Sequence, residues 1–301
     1  MTSHWDLTSA DAVRQLTVVD SGVDRAVQAA DSAAQSAGVT VREIGSLGEA
    51  EDVVRLYASI WGRANNPPMT LELLRAFSKA GSYVGGAYDG ERLVGACVGF
   101  FHAPAENALH SHIAGVAHGM TGRNVGFALK LHQRAWALLH GVSEISWTFD
   151  PLIGRNAYFN LVKLAADAVE YLPNFYGAMV DSINGNDDTD RVLVRWRLRD
   201  HVVVAACDGR SERLTVPDEI TARATVGLCV DEHGAPLIGG LEGPVVHVGV
   251  PDDIAGLRTS DPALAVRWRG ALREVLTALV ADGRRIDSFD RAGWYVVRRS
   301  S

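Results

Sequence analysis

Residues 120–141, "MTGRNVGFALKLHQRAWALLHG", place glycines on either side of Arg123 and Asn124 and then run into an apolar stripe. Val125, Ala128, Leu129, His132, Ala135, Trp136 and Leu139 recur at helical spacing, which predicts a helix with one face against a core. The preceding "ALHSHIAGVA" reads as a strand. A strand, a glycine turn and a helix leave the first helical N–H groups without intrahelical partners. Those amides, together with the helix dipole, favour an anion. The G-x-G-x-x-G spacing of a Rossmann dinucleotide site is absent, so that site is a poor match.

Working outward toward the N-terminus, "DRAVQAADSAAQSAG" predicts an alanine-rich helix stopped by Gly38. "VTVREI" is a short strand. "LGEAEDVVRLYASIWG" is a helix on Val53, Leu56, Tyr57, Ile60 and Trp61, and "RANNPP" breaks it. "TLELLRAFSKAG" is a helix capped by Thr70, and Asp89-Gly90 turns a hairpin within "SYVGGAYDGERLVGACVGFFHA". Toward the C-terminus come the strand "VSEISWTFDP", the shorter helix "GRNAYFNLVKLAA", and the strands "AVEYLPNFYG" and "DRVLVRWRL", separated by the polar loop "DSINGNDDTD". The order βααβββαβαββ over residues 39–199 implies a mixed α/β sheet with helices on both faces. Beyond it, "HVVVAACDG", "ATVGLCVDEHG" and "GPVVHVGVP" read as strands. "DPALAVRWRGALREVLTALVADG" reads as a helix capped by Asp261, opened by Pro262 and stopped by Gly283, and "RRIDSFDRAGWYVVRR" as a hairpin. The expected division is a helical extension over 1–38, a main domain over 39–199 and a smaller α+β domain over 200–301. The last repeats the βαββ order of "ISWTFDP" to "RVLVRWRL", either as a degenerate half-repeat or by chance recurrence of common wiring.

The net charge of −7 argues against a general nucleic-acid binder, which needs clustered Lys and Arg, but leaves room for a local basic pocket. No run approaches the ~18 apolar residues of a membrane span, and the first residues lack a basic stretch followed by an apolar core. Cys97, Cys207 and Cys229 are odd in number and lack metal-type spacing, so buried free thiols in a reducing cytoplasm are expected.

The order of elements and the turn, Arg123-x-x-Gly126-x-Ala128, together resemble the GNAT acyltransferase superfamily. More weakly, the whole chain resembles a longer GNAT subgroup carrying "WTFDP…RNA…N…KL" and a terminal "WR" helix. The resemblance implies a mixed, mostly antiparallel sheet flanked by helices. It also implies acyl-CoA, acetyl or succinyl, as co-substrate, and no metal. The amides from Gly122 through Arg123, Asn124, Val125, Gly126, Phe127 and Ala128 would wrap the diphosphate. The strand before the turn would splay from the next, with its backbone near Val116 pairing with pantetheine. Asn156 suits the same arm, with an ordinary N-cap as the alternative. Thr121 and Asn124 stand where many members have Arg and Gly, which leaves Arg123 to supply most of the local positive charge.

Acyl transfer to an amine needs a base for the ammonium proton and an acid for the leaving thiolate. Aligning Lys163 with the family's helix motif puts Leu161 where a tyrosine acid is usual. Tyr158, one turn earlier, is the substitute, with packing as its alternative, and Tyr176 is a second candidate. His110 and His112 share a strand face and resemble the His-x-His of arylalkylamine N-acetyltransferases, which makes them candidate bases. A metal site from His102, His110, His112 and His118 is the less favoured reading, because it needs a carboxylate or cysteine nearby. Asp150 would orient an amine, pair with Arg155 or cap a helix. Trp61, Phe100, Phe101 and His102 either line an apolar or aromatic acceptor site or belong to the core. Arg267, Arg269 and Arg273 form a solvated helix face or a lid over an anion. The expectation is an enzyme, an N-acyltransferase acting on a small-molecule amine, compatible with a homodimer. Its rivals are a non-catalytic acyl-CoA-binding protein and a GNAT-fold enzyme of hydrolysis or decarboxylation.

Overall fold

The computed structural model describes residues 21–177, 179, 187–211 and 224–299. The polar start of the chain and most of the loop "DSINGNDDTD" lie outside them.

Helix α1 (Ser21–Ala37) and strand β1 (Thr40–Glu43) precede a helix pair, α2 (Leu47–Trp61) and α3 (Leu71–Lys79). Ser46 opens α2 with a reciprocal capping box to Glu49, Gly62 closes it at φ 64°, and Thr70 Oγ1 caps α3. Strands β2 (Tyr83–Asp89), β3 (Arg92–Phe101) and β4 (Ala108–Val116) lead to α4 (Val125–Leu139) and β5 (Glu144–Phe149). A short α5 (Gly154–Tyr158) runs into a π-turn over Phe159–Lys163, followed by β6 (Asp167–Leu172) and β7 (Arg191–Arg197).

The seven strands order as β1-β2-β3-β4-β5-β7-β6, antiparallel except for β4 and β5. This is the expected mixed, mostly antiparallel sheet. The parallel pair is joined only at Ala108–Glu144, Leu109–Ile145 and His110–Ser146. From Ser111 onward the two strands part, and β4 runs on toward the glycine turn with one edge unpaired by β5.

A second sheet follows α6 (His201–Cys207). Its strands β8 (Thr225–Val230), β9 (Pro236–Ile238), β10 (Val245–Gly249), β11 (Arg284–Phe289) and β12 (Trp294–Arg299) order as β11-β12-β10-β8-β9, with α7 (Ile254–Ser260) and α8 (Pro262–Ala281) between β10 and β11. The runs β4-β5-β7-β6 and β8-β10-β12-β11 share one wiring, a parallel pair followed by two antiparallel ones. One apolar core extends from α1 and α4 through Leu161 and Trp196 to Val248, Leu272 and Tyr295 of the second sheet. The Tyr295 hydroxyl donates to the Pro151 carbonyl across that junction at 2.7 Å. A second core of Val53, Tyr57, Leu74, Val84 and Val98 lies under α2 and α3.

Several expectations change. "HVVVAAC" is α6, not a strand. Asp200 Oδ1 caps it at Val202 N, and burial of Val203, Ala206 and Cys207 at helical spacing outweighs the β-preference of three valines. Helix α4 is buried well beyond its expected stripe. Lys130, Leu131, Gln133, Arg134, Ala137 and Leu138 are covered too, while Leu139 is exposed. The small residues Ala26 and Ala30 of α1 let that helix lie closely over α4. Arg269 is not solvated; it is 2% exposed. Among the cysteines, Cys97 and Cys207 are buried and Cys229 is half-buried. Among the described residues no helix is long and apolar enough to cross a membrane.

Candidate active site

The parting of β4 from β5 opens a cleft of about 780 Å³. One wall is β4 from His112 to Val116; the other is Thr148 to Asp150, with Arg155, Asn156 and Phe159 of the following turns. The inner end is the start of α4, and the α2–α3 connection adds Trp61, Arg63 and Pro68.

At the α4 start, Asn124 adopts the left-handed conformation at φ 59° after Gly122 at φ 86°. Asparagine tolerates this region better than most residues, so the turn forms without a third glycine. The Asn124 carbonyl accepts from Phe127 N at 3.0 Å and Ala128 N at 3.1 Å. No side chain caps the helix, and the amides of Val125 and Gly126 have no hydrogen bond among the described residues. The Asn124 amide oxygen instead accepts from Lys163 Nζ at 2.7 Å. Partial burial and the Arg291 charge lower the Lys163 pKa.

Arg123 differs from expectation. Its guanidinium pairs with Asp89 at 2.9 Å and donates to the carbonyls of Ala37 and Gly38, and its own amide donates to Met120 O. It does not line the cleft. The cation at the turn is Lys163, whose position in the chain marked only a family alignment.

The histidines are brought together, His110 and His112 having ring centroids 6.2 Å apart, but only His112 faces the cleft. Crowding by the walls lowers its pKa. His110 turns to Ser146 Oγ at 3.5 Å; burial first, then the neighbouring His112, His102 and Lys130 charges, bring its pKa down to about 4. His102 bridges Glu106 and Ser146 at 2.8 and 2.9 Å, outside the cleft lining. Among the described residues no His, Cys, Asp and Glu group is arranged to hold a metal.

Tyr158 is corrected as an acid candidate. Its hydroxyl accepts from Arg291 Nε at 3.1 Å, under the second sheet's hairpin, and it does not line the cleft. Tyr176 does line it, with its hydroxyl 3.1 Å from Thr148 Oγ1 on the β5 wall. The Tyr176 amide donates to Thr189 Oγ1 at 3.0 Å, and Thr189 Oγ1 donates to Gly177 O at 2.8 Å. Asp190 holds the same turn through Asn174 N, and Arg273 of α8 holds Asp190 through Nε and Nη2 at 2.9 and 2.6 Å. Leu161, where the family's tyrosine was expected, is fully buried.

Asp150 Oδ1 accepts from Leu152 N at 3.0 Å, a local turn bond, and both oxygens are taken by Arg269 and Arg258. Burial would raise its pKa, but the two guanidinium groups overcome that and hold it at about 2. It does not pair with Arg155. Val116 and Asn156 line the cleft. Phe100 stacks on Phe77 and Phe101 lies beside Trp136, so neither reaches the cleft, whereas Trp61 does.

No family model and no curated protein matches the chain. Solved structures similar to it include an N-acetyltransferase from Staphylococcus aureus Mu50, at 13% identity over 54% of this chain and 99% of that one, TM-score 0.44. Others are a GNAT-family acetyltransferase from Streptococcus pneumoniae (12%, 52% and 97%, 0.44) and the ribosomal-protein-S5-alanine acetyltransferase from Vibrio fischeri (13%, 54% and 94%, 0.44). The seven-stranded sheet opens at its one parallel pair, just ahead of a glycine turn and helix, which is the mixed, mostly antiparallel arrangement that the sequence resemblance implies.

Proposed function

We propose that the cleft binds an acyl-CoA thioester and that the protein transfers the acyl group, acetyl or another short chain, to the amine of a small molecule. The observation that carries this reading is the uncapped start of α4, where the Val125 and Gly126 amides and Lys163 face one open cleft. Two free amides at a helix N-terminus beside a cation suit a diphosphate. The unpaired edge of β4 from His112 to Val116 offers backbone donors and acceptors to a pantetheine chain, with Asn156 on the opposite wall.

In this reading His112, kept neutral near pH 7 by its lowered pKa, takes the ammonium proton of the acceptor. The freed amine attacks the thioester carbonyl. A C–N bond forms, the C–S bond breaks, Tyr176 gives its proton to the leaving thiolate, and the second proton shed by the nitrogen as the amide forms restores the tyrosine hydroxyl. Thr148 and Thr189 hold Tyr176 for that step. The division at residues 39–199 and 200–301 belongs to the same proposal, with the second part bracing the cleft wall through α7 and α8.

The test is thiol release from acetyl-CoA and succinyl-CoA, with and without an amine panel, beside thermal unfolding with CoA. Transfer predicts stabilisation by CoA and amine-dependent thiol. Amine-independent thiol indicates hydrolysis, and stabilisation without turnover indicates a binding protein. Absence of any CoA effect rejects the reading.

A further inference from the structure

The charges lining the cleft are one-sided in a protein whose net charge is −7. Arg63, Arg155, Lys163 and Arg191 line it, against Asp150 as the single lining carboxylate among the described residues. Asp150 is already consumed by Arg269 and Arg258. An acceptor that brings only positive charge therefore enters a cationic cleft with no carboxylate among the described lining residues free to hold it. Polyamines and other polycations are disfavoured on that ground.

The cations divide by place. Lys163 sits on Asn124 at the diphosphate end, and Arg155 adjoins Asn156 on the β5 side. Arg63 lies across the cleft on the α2–α3 connection, two residues from Trp61. The Trp61 ring covers Gly115 of the β4 wall so closely that a Cβ there would stand 3.0 Å from it. Arg63 is half-buried, and its guanidinium has no hydrogen bond or ion pair among the described residues. Placing a guanidinium in partial burial without a counter-charge costs desolvation that a ligand anion offsets.

We infer that Arg63 binds a carboxylate carried by the acceptor, which is an amino acid with an apolar or aromatic side chain. This rests on the acyltransferase reading. The amine turns to His112, the side chain lies along Trp61, and the carboxylate meets Arg63. A carboxylate on the acyl group, as in succinyl-CoA, shares this chemistry and is the competing source.

The experiment compares L-phenylalanine, phenethylamine and spermidine as acceptors with acetyl-CoA, and phenethylamine with succinyl-CoA, using the full chain and its Arg63→Met variant. The expected result is a kcat/KM for L-phenylalanine about tenfold or more above that for phenethylamine, with spermidine inert. Arg63→Met should remove that preference through the KM for L-phenylalanine and leave the KM for acetyl-CoA within about twofold. Equal use of phenethylamine overturns the inference, as does a KM effect confined to acetyl-CoA. Dependence on Arg63 seen only with succinyl-CoA reassigns the carboxylate to the acyl group and overturns it as well. Failure of every amine to release thiol rejects the transferase reading, and this inference with it.

Discussion

Arg269 of α8 grips Asp150 at the end of β5 through two parallel hydrogen bonds, Nη1 to Oδ1 at 2.9 Å and Nη2 to Oδ2 at 3.0 Å, with both side chains buried. Residues 119 positions apart thereby join the second sheet to the rim of the cleft. Arg258 and Asp187 complete the cluster. Arg269→Met leaves buried carboxylates under-compensated and should cost about 3–5 kcal/mol in urea unfolding. The Asp150 pKa lies below its unfolded value, so its contribution is present above about pH 4 and is lost as pH falls toward 2. Asp150→Asn should flatten that acid limb; an unchanged limb would show that the pair carries none of it.

Lys130 lies buried in α4, donating to Ser111 Oγ at 3.0 Å and Gln133 Oε1 at 2.9 Å and facing the Trp147 ring at 3.7 Å. Burial lowers its pKa to about 8, slightly opposed by Cys97. Between pH 8 and 10.5 the unfolded chain binds the proton that the folded chain gives up, so folding stability rises with pH through that window. The penalty below pH 8 is about 3 kcal/mol, and Lys130→Met should remove the slope. Chemical melts of both proteins at pH 7, 8, 9 and 10 check it; parallel curves would refute the assignment.

Lys163 and Arg123 exchange the roles suggested by the chain alone. Lys163→Met should weaken CoA binding about tenfold in calorimetry. Arg123→Met should leave CoA affinity within about twofold and lower stability instead, because Arg123 ties α1 and β2 to the turn through Ala37, Gly38 and Asp89. The reverse pattern would restore Arg123 to the ligand.

His112→Ala should lower kcat about a hundredfold with little change in CoA affinity. In the intact protein the acid limb of kcat/KM should lie below pH ~6.5, since burial lowers this histidine. Normal turnover of the variant removes His112 as the base.

Tyr176→Phe should lower kcat and spare CoA affinity. Thr189→Val, which deletes the hydroxyl bonded to the Tyr176 amide and Gly177 carbonyl, should act in the same direction but less, and Thr189→Ser should recover it. Wild-type kcat in Thr189→Val would mean that the turn needs no such tether.

Local rules were readable from the chain. The Asp89-Gly90 hairpin, the caps at Thr70 and Asp261, the stops at Gly38 and Gly283 and the turn at Asn124 each depend on a few neighbouring residues. The run "HVVVAAC" reads locally as a strand and folds as a helix, because its β-branched residues are answered by burial against distant elements. Tyr158 and Tyr176 look alike in sequence. Their difference lies in Arg291 and Thr148, partners 133 and 28 residues away.

The sequence by itself determined the order of helices and strands over residues 39–199, and a glycine turn that leaves backbone amides open, because those follow from side-chain periodicity and dihedral preference within a few residues. Tertiary structure alone decided which charges serve that turn and which are spent in ion pairs. A guanidinium or ammonium group is directed by whichever carboxylate or carbonyl the folded chain brings within hydrogen-bonding reach, and that choice has no local signature.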